Sequence, residues 1–241
     1  MSFSNTYHDP DRAASYATLE YPGTYWLAFR DLPELIDRHV RGRRALDFGC
    51  GAGRSTRFLK QLGFDAAGVD VSRRMLAAAR GRDPGGSYEW LGDDGERPIT
   101  VVGPGEADLV LCAYPFDNIP GGERRVEIMR GLARLLKPDG RIVLLASAAE
   151  LYVNEWVSFT TAAFPQNRRA RSADPVRIVM KDVADARPVD DFLWTEDDYR
   201  ALFEAAGLAL LETARPLGRD GEPVEWGTER RVAPWAIHVA G

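Results

Sequence analysis

The stretch Ala45-Leu46-Asp47-Phe48-Gly49-Cys50-Gly51-Ala52-Gly53 decides the fold that we expect for this chain. It begins as a short apolar strand and leads into a helical pattern over 54–62, with three glycines in five positions at the turn. Glycine permits a tight turn and lets a ligand approach the backbone without meeting a Cβ atom. The free N–H groups that open the following helix favour an anionic group. The stretch therefore predicts a ligand-binding turn between a first strand and a first helix.

Strand-like and helix-like segments alternate around this turn. Predicted strands cover 44–48, 65–69, 88–91, 108–112 and 142–146, and predicted helices cover 25–40, 54–62, 73–80 and 123–136. A helix over 196–206 and strands over 208–213 and 233–239 follow, the two strands forming an antiparallel hairpin at the sheet edge. Such alternation is typical of βαβ units with helices on both faces of a parallel sheet. The predicted fold class is α/β, a Rossmann-like, doubly wound, seven-stranded sheet that is mostly parallel, with one antiparallel edge hairpin strand and an insertion after the fifth strand.

Composition and charge exclude several classes of protein. A chain of 241 residues with 45% hydrophobic residues can bury a full core without disulfides. The net charge of −5 argues against a nucleic-acid partner. Cys50 and Cys112 are too few for a disulfide framework or a zinc site, so no metal is expected. No apolar run is long enough for a signal peptide or a membrane span, and we expect a cytoplasmic protein without a membrane partner.

The second predicted strand ends at Asp70, where a carboxylate can hold both hydroxyls of a ribose. Together with the glycine turn, this acid points to a ligand that contains a nucleoside, either a dinucleotide or S-adenosylmethionine. A dinucleotide fingerprint is spaced G-x-G-x-x-G. This chain has G-x-G-x-G preceded by Asp47, and that spacing favours S-adenosylmethionine.

Several segments together resemble the class I S-adenosylmethionine-dependent methyltransferases of the small-molecule type. The stretch 47–53 resembles the first motif of that family, and 68–76 resembles the second. Further likenesses are the acidic loop at 92–94, the fourth strand at 107–112 and the approach to the fifth strand at 135–142. The resemblance covers 43–146, with a looser one over 195–240. It implies S-adenosylmethionine as the cofactor.

The resemblance also implies a role for each matching position. The turn at 47–53 would hold the methionine part of the cofactor, Asp70 the ribose, and Asp93 the amine of the adenine. The implied cofactor-binding residues are Asp47, Gly49, Cys50, Gly51, Gly53, Asp70, Val71, Met75, Asp93, Cys112 and Ala113. Core packing is an alternative for Met75, and both cysteines are expected to be small buried residues rather than reactive thiols.

Methyl transfer requires alignment and a dry pocket, and it needs a base only when the nucleophile arrives protonated. The candidate catalytic residues are His8, in the aromatic N-terminal segment, and Asp117, just after the fourth strand. A structural or solvated role is the alternative for His8, and a turn that satisfies its own backbone is the alternative for Asp117. The candidate substrate-binding residues are Tyr16, Tyr21, Tyr114, Tyr152 and Trp156. The last two are expected on one face of a helix over 149–163, where packing is the alternative.

Four regions are expected along the chain. These are an N-terminal helical lid segment at 1–42, a cofactor-binding α/β core at 43–146, a substrate-covering insertion at 147–191 and a C-terminal completion of the sheet at 192–241. The insertion joins the sheet at the edge where ligands bind in such folds. An aromatic roof of this length leaves no trough for a macromolecule.

The sequence thus predicts an enzyme that transfers a methyl group to oxygen or nitrogen of a small, ring-containing acceptor, acting as a monomer or homodimer. Residues 114–118 depart from the N/D-P-P-Y pattern of enzymes that act on base amino groups, which again argues against nucleic acid. Two alternatives stay open. One is a protein of the same fold that binds S-adenosylmethionine or S-adenosylhomocysteine in a non-methylating or regulatory role, and the other, disfavoured by the glycine spacing, is a nicotinamide-dependent oxidoreductase.

Overall fold

A computed structural model describes residues 9–20 and 22–241, so His8 and Tyr21 lie outside the described residues. The helices are α1 (Pro10–Ala17), α2 (Gly23–His39), α3 (Arg54–Gln61), α4 (Arg73–Arg82), α5 (Gly122–Ala133) and α6 (Glu196–Ala205). The strands are β1 (Arg44–Phe48), β2 (Asp65–Asp70), β3 (Ser87–Trp90), β4 (Ala107–Ala113), β5 (Leu136–Ser147), β6 (Phe159–Thr160), β7 (Pro175–Met180), β8 (Val189–Phe192), β9 (Leu210–Ala214) and β10 (Trp235–Ala240). Over the ranges described, no helix is both long and apolar enough to cross a membrane.

Seven strands form one sheet in the order β3-β2-β1-β4-β5-β10-β9, which confirms the predicted fold class. The first five pair in parallel, and β10 runs antiparallel to both of its neighbours. The β9–β10 hairpin occupies the sheet edge as predicted, with the antiparallel strand second from the edge. The strand order reverses between β1 and β4, and ligands bind at such a switch point in open α/β sheets.

The two faces of the sheet bury separate sets of side chains because successive residues of a strand point to opposite faces. Leu109 and Leu111 of β4 pack on the α2 side together with the insertion. Val110 and Cys112, which alternate with them, pack on the α5 and α6 side. This two-sided burial explains why β4 reads as a continuous apolar run.

The starts of two helices follow from local capping. The Ser72 hydroxyl accepts a hydrogen bond from the Met75 amide at 3.3 Å and opens α4. Thr195 and Asp198 form a capping box at the start of α6, as the sequence predicts. Because β2 ends at Asp70 and α4 begins at Arg73, the Ser72 cap fixes the end of β2. The position of the Asp70 carboxylate is fixed with it.

The predicted helix over 149–163 is wrong. A short 3-10 turn covers Ala149–Val153, the chain is extended at Asn154, and β6 follows as part of a small antiparallel sheet in the order β6-β7-β8. The Trp156 amide donates to the Phe159 carbonyl at 3.0 Å, closing a turn where a helix would continue. The aromatic residues are buried by tertiary packing instead of by one helical face. The predicted β-rich piece over 176–180 is confirmed as β7.

Candidate active site

A cleft of ≈ 750 Å³, counting its open mouth, lies at the carboxyl ends of β1, β2 and β4. Its lining residues are Tyr16, Phe48, Gly49, Gly51, Asp70, Val71, Met75, Leu91, Ala113, Tyr114, Pro115, Asn118 and Ile119. A volume of this size suits a small ligand or cofactor. The cleft lies where the strand order reverses, so the fold and the cavity indicate the same site.

The glycine turn forms the floor of this cleft. Gly49 has φ +73°, and a Cβ atom added there would lie 2.6 Å from Cβ of Pro115. The amides of Gly49 and Cys50 donate to the Val69 carbonyl at 2.9 and 3.0 Å, which ties the turn to the end of β2. A side chain at Gly49 would therefore be strained in its backbone and would collide with the opposite wall.

Gly49→Ala is expected to weaken cofactor binding because the added methyl group forces the turn away from Pro115. Gly63→Ala is the matched control, since Gly63 has a similar φ of +85° but nothing within 4 Å of its added Cβ. Both variants should lose about 1–2 kcal/mol of stability from backbone strain. Only Gly49→Ala should also reduce S-adenosylhomocysteine affinity in calorimetry, and equal affinities for the two variants would contradict the close approach.

The carboxylate of Asp70 is held in place at the end of β2. Its Oδ2 accepts from the Gly51 amide at 2.8 Å, and its Oδ1 accepts from the Ser72 amide at 2.7 Å. Burial raises the pKa of Asp70, against the effect of these hydrogen bonds. An ionised carboxylate has about four acceptor positions, so each oxygen keeps a lone pair for a ligand hydroxyl.

Asp47 lies beneath the glycine turn and is fully buried. Its Oδ2 accepts from the hydroxyls of Ser55 at 2.7 Å and Thr56 at 2.6 Å, which anchors the first turn of α3 to β1. Oδ1 of Asp47 has no hydrogen-bond partner among the described residues. Burial raises the pKa of Asp47 to about 6. The structure therefore places this acid under the turn rather than in the cleft lining.

The predicted cofactor residues fall into two groups. Those that line the cleft are Gly49, Gly51, Asp70, Val71, Met75 and Ala113. Those outside its lining are Asp47, Cys50, Gly53, Asp93 and Cys112. Asp93 is exposed, and both cysteines are buried with thiol pKa values raised by that burial. The cysteines are therefore small buried residues and not reactive thiols, as the sequence predicts.

A second cavity of ≈ 450 Å³ adjoins the cleft and shares Tyr16, Tyr114 and Asn118 with it. Tyr114 directly follows β4, and its φ of +70° is one of two positive values among the non-glycine residues described. A tyrosine in this backbone region is strained by the order of 1–3 kcal/mol, and such strain concentrates at functional sites. The strained residue stands where the two cavities meet.

One wall of the second cavity consists of four packed aromatic rings. The Trp235 ring lies 5.5 Å from Tyr25, 4.7 Å from Tyr114 and 5.6 Å from Phe159, measured between ring centroids. The polar tips of two rings are engaged, because Trp235 Nε1 donates to the Thr24 carbonyl at 2.7 Å and the Tyr25 hydroxyl contacts Met180 Sδ at 3.4 Å. We call these four residues the aromatic wall.

The opposite side of the second cavity carries two buried carboxyl groups. Asp117 accepts from the Ser147 amide at 3.0 Å, the Ser147 hydroxyl at 2.7 Å and the Tyr199 hydroxyl at 2.9 Å. Asp191, on β8, accepts from the Tyr152 hydroxyl at 3.1 Å and from the Asn118 side-chain amide. Burial raises the pKa of both groups, and burial together with the neighbouring charge of Asp117 raises that of Asp191 to about 8.

Only some of the predicted catalytic and substrate-binding residues lie at the second cavity. Asp117, Tyr16 and Tyr114 line the second cavity. Tyr152 lies behind the cavity and reaches it through its hydrogen bond to Asp191. Trp156 does not line either cavity, and its indole N–H donates to the Leu151 carbonyl at 2.8 Å in the core of the insertion.

Sequence reasoning did not find several residues of the second cavity, chiefly Tyr25, Asp191 and Trp235. One signal for Asp191 was present in the sequence. Val189 and Asp191 alternate with exposed Asp190 along β8, which places an acid on the buried face of a strand. An acid on the buried face of a strand, where burial raises its pKa, is a candidate functional residue.

The family model for a methyltransferase domain matches residues 46–144, a segment that begins within β1, includes the glycine turn and ends within β5. Over this segment, about two fifths of its length, the chain is similar to S-adenosylmethionine-dependent methyltransferases. The resemblance read from the sequence motifs is confirmed by this match and by the sheet order.

Curated methyltransferases match part of the chain. A ubiquinone biosynthesis O-methyltransferase from Bordetella avium is 32% identical over 103 residues, covering 42% of this chain and 41% of that protein. A demethylmenaquinone methyltransferase from Tropheryma whipplei is 34% identical over 104 residues, covering 43% and 41%. These matches span about two fifths of the length of the curated relatives.

A solved structure matches over most of the chain. An S-adenosylmethionine-dependent methyltransferase from Mesorhizobium loti superposes with a TM-score of 0.62 at 18% identity, covering 91% of this chain and 98% of that one. The share of the chain covered by this likeness in fold is larger than the segment matched in sequence.

The cofactor of this methyltransferase family is S-adenosylmethionine, and the cleft fits it. Asp70 offers two acceptor oxygens for ribose hydroxyls, and Val71, Met75 and Leu91 offer an apolar surface for a purine ring. The backbone of Gly51 faces the cleft without a Cβ atom. Nothing in this lining would repel a ligand with this mixture of groups.

Proposed function

We propose that this chain transfers a methyl group from S-adenosylmethionine to oxygen or nitrogen of a small, ring-containing acceptor. The observation that carries the proposal is the pair of adjoining cavities at the switch point of the sheet. One has the glycine turn and the Asp70 carboxylate, and the other has an aromatic wall beneath the insertion. The strained Tyr114 between them marks the place where the two ligands would meet.

Each cavity would contribute differently to the reaction. When bound, S-adenosylmethionine supplies a methyl group on a sulfonium, and the C–S bonding electrons stay on sulfur as the acceptor's lone pair bonds to the carbon. Gly49, Gly51 and Asp70 would hold the cofactor, while the aromatic wall would orient the acceptor and keep water away. Alignment and exclusion of water are the main contributions that a protein makes to such a transfer.

The size and position of the second cavity support a small acceptor. Its volume of ≈ 450 Å³ suits a compact molecule, and residues of β6, β7 and β8 cover it. The curated relatives carry names that refer to ubiquinone biosynthesis and demethylmenaquinone, which accords with a small-molecule substrate class. A folded protein or duplex nucleic acid would not fit beneath this cover.

The direct test is to incubate the protein with methyl-labelled S-adenosylmethionine and a metabolite extract, and to search for label in small products. We expect one labelled low-molecular-weight product that disappears in the Asp70→Ala variant. Tight binding of S-adenosylhomocysteine without any labelled product would favour the regulatory alternative. Label in protein or nucleic acid would overturn the proposed substrate class.

We propose that helix α1 acts as the lid expected from the sequence. Tyr16 of α1 lines both cavities. Arg12 ties the same helix to the insertion, with its Nε 3.1 Å from Asp185 Oδ2 and its Nη2 donating to the Pro188 carbonyl at 2.8 Å. Arg82 of α4 donates to the carbonyl of Ala17 on the other side. The helix therefore bridges the cofactor half and the insertion.

Deleting residues 1–20 is expected to leave a folded protein whose turnover is at least tenfold lower, because a reaction site that is open to water loses alignment and dryness. The deletion must stop before Thr24, whose hydroxyl donates to buried Glu229 at 2.7 Å and whose carbonyl accepts from Trp235. Circular dichroism checks that the truncated protein is folded, and a product assay measures its turnover. Normal turnover in the truncated protein would remove the lid role.

A further inference from the structure

The polar side of the second cavity is acidic, because two carboxyl groups belong to its lining. Asp117 and Asp191 both line it, and no arginine, lysine or histidine is found among its described lining residues. A carboxylate or phosphate on the acceptor would meet like charge there. The cavity therefore selects for an acceptor that brings positive charge or hydrogen-bond donors.

Asp117 and Asp191 differ in the number of further hydrogen bonds that their carboxyl oxygens can accept. Asp117 already accepts three hydrogen bonds, from the amide and hydroxyl of Ser147 and from Tyr199. Asp191 accepts two, one on each oxygen, from Asn118 and Tyr152. Because a carboxylate has about four acceptor positions, each oxygen of Asp191 keeps one position for a ligand.

Among the described residues, no basic side chain forms an ion pair with Asp191. Asp190, its neighbour on β8, is exposed and pairs with Arg177 of β7, with Nε 2.6 Å from Oδ1. Arg125 of α5 lies on the far side of Asp117, its guanidinium 4.8 Å from the Tyr199 ring centroid. Tyr152 and Asn118 are neutral donors, and Asp117 adds a second negative charge. Because burial and the charge of Asp117 raise the pKa of Asp191 to about 8, a cationic ligand would shift Asp191 toward its ionised form.

The aromatic wall suits the same class of ligand. Aromatic faces attract cations by their quadrupole, most strongly where water is excluded. Tyr25, Phe159 and Trp235 are buried to 6%, 2% and 2% exposure, so a cation in this cavity would be largely desolvated. The Arg54 guanidinium already lies 5.2 Å from the centroid of the Tyr25 ring, so a ligand ammonium ion would contact the other rings of the wall, in a lining that also contains the two carboxyl groups.

We infer that the acceptor is a primary or secondary amine that enters as its ammonium ion and passes one proton to Asp191 before its nitrogen is methylated. This inference rests on the methyl transfer proposed above. The N–H bond breaks, its electron pair stays on nitrogen, and the proton adds to a carboxylate oxygen of Asp191. The freed lone pair is then the nucleophile for the methyl carbon.

The electrostatics of the pair support this proton transfer. Three donors favour the anionic form of Asp117, although burial raises its pKa overall, and its charge contributes to raising the pKa of Asp191 to about 8. An ordinary aspartate, with a pKa near 3.9, is a much weaker base toward an ammonium whose pKa is near 10. General-base catalysis works best when the pKa of the base lies near the operating pH. Tyr152 and Asn118 are positioning residues that hold the carboxyl group of Asp191 in the cavity.

Binding of three probes with the same ring tests the inference on protein saturated with S-adenosylhomocysteine. The probes are benzylamine, benzyl alcohol and benzoate, measured by calorimetry at pH 7.5. We expect benzylamine to bind at least tenfold more tightly than benzyl alcohol and benzoate not to bind. Asp191→Asn should abolish the preference for the amine, whereas Asp190→Asn, which changes the exposed neighbour on the same strand, should preserve it.

A second measurement follows the titration of the Asp191 carboxyl group itself. Carbon NMR of labelled aspartate carboxyl groups should show a signal that is lost in Asp191→Asn and titrates with a pKa near 8, and benzylamine should lower that pKa by one unit or more. Equal or tighter binding of benzyl alcohol or benzoate, no binding of any probe, or an amine preference that persists in Asp191→Asn would overturn the inference. Failure of S-adenosylhomocysteine itself to bind would overturn the proposed function instead.

Discussion

Asp70→Ala is expected to weaken binding of S-adenosylhomocysteine by about ten- to one-hundredfold. A hydrogen bond to a charged group contributes about 1.5–3 kcal/mol, and this carboxylate has one free position on each oxygen for the two ribose hydroxyls. The substitution also removes the acceptor for the amides of Gly51 and Ser72. The glycine turn then loses one of its ties to the end of β2, which adds to the loss.

The matched control for this experiment is Asp65→Ala, at the opposite end of the same strand. The side chain of Asp65 is 73% exposed and pairs with Arg44, far from the cleft. Calorimetric titration with S-adenosylhomocysteine should give wild-type affinity for this control. If Asp70→Ala also retains wild-type affinity, Asp70 does not hold the cofactor.

Trp235→Ala is expected to lower the free energy of unfolding by about 3–5 kcal/mol, the usual cost of removing a large buried ring. Trp235 is 2% exposed, contacts three other rings of the aromatic wall and donates to the Thr24 carbonyl. For a chain of this length the melting temperature should fall by roughly 10 °C. The enlarged cavity should also bind ring-containing acceptors less tightly.

Leu211→Ala on the neighbouring β9 is the control, because Leu211 is 47% exposed and should change stability by no more than about 0.5 kcal/mol. Trp235→Phe keeps a ring in the wall and should recover part of the lost stability. Chemical denaturation measures all three variants. A loss below about 1 kcal/mol in Trp235→Ala would mean that the aromatic wall does not support the core.

The parts of the fold that could be predicted from sequence are those fixed by local patterns. The bounds of the strand over Arg44–Phe48 were predicted correctly, as was the turn that follows it. A short apolar run that leads into a cluster of glycines is compatible with few structures other than a strand and a tight turn. The capping box at Thr195 and the sheet-edge hairpin were predicted for similar reasons. Most other boundaries shifted by one to three residues at helix and strand ends.

The second cavity could not be predicted in the same way because tertiary contacts build it. Asn118 and Asp191 are 73 positions apart in the chain, yet their side chains are hydrogen-bonded. Residues 149–163 contain apolar positions at helical spacing, but the chain turns between Trp156 and Phe159 and enters a small sheet. The apolar periodicity correctly predicted that these residues are buried. It could not predict which residues they pack against.

The position of β10 in the sheet has a consequence for the order in which the protein can be assembled during synthesis. Strand β9 contacts the sheet only through β10, which pairs with β5 on its other side. A nascent chain that has emerged only as far as residue 234 leaves the edge of β5 unpaired and β9 without a partner. Unpaired strand edges are sites of aggregation. Residues 235–240 therefore complete the sheet, and Trp235 completes the lining of the second cavity in the same step.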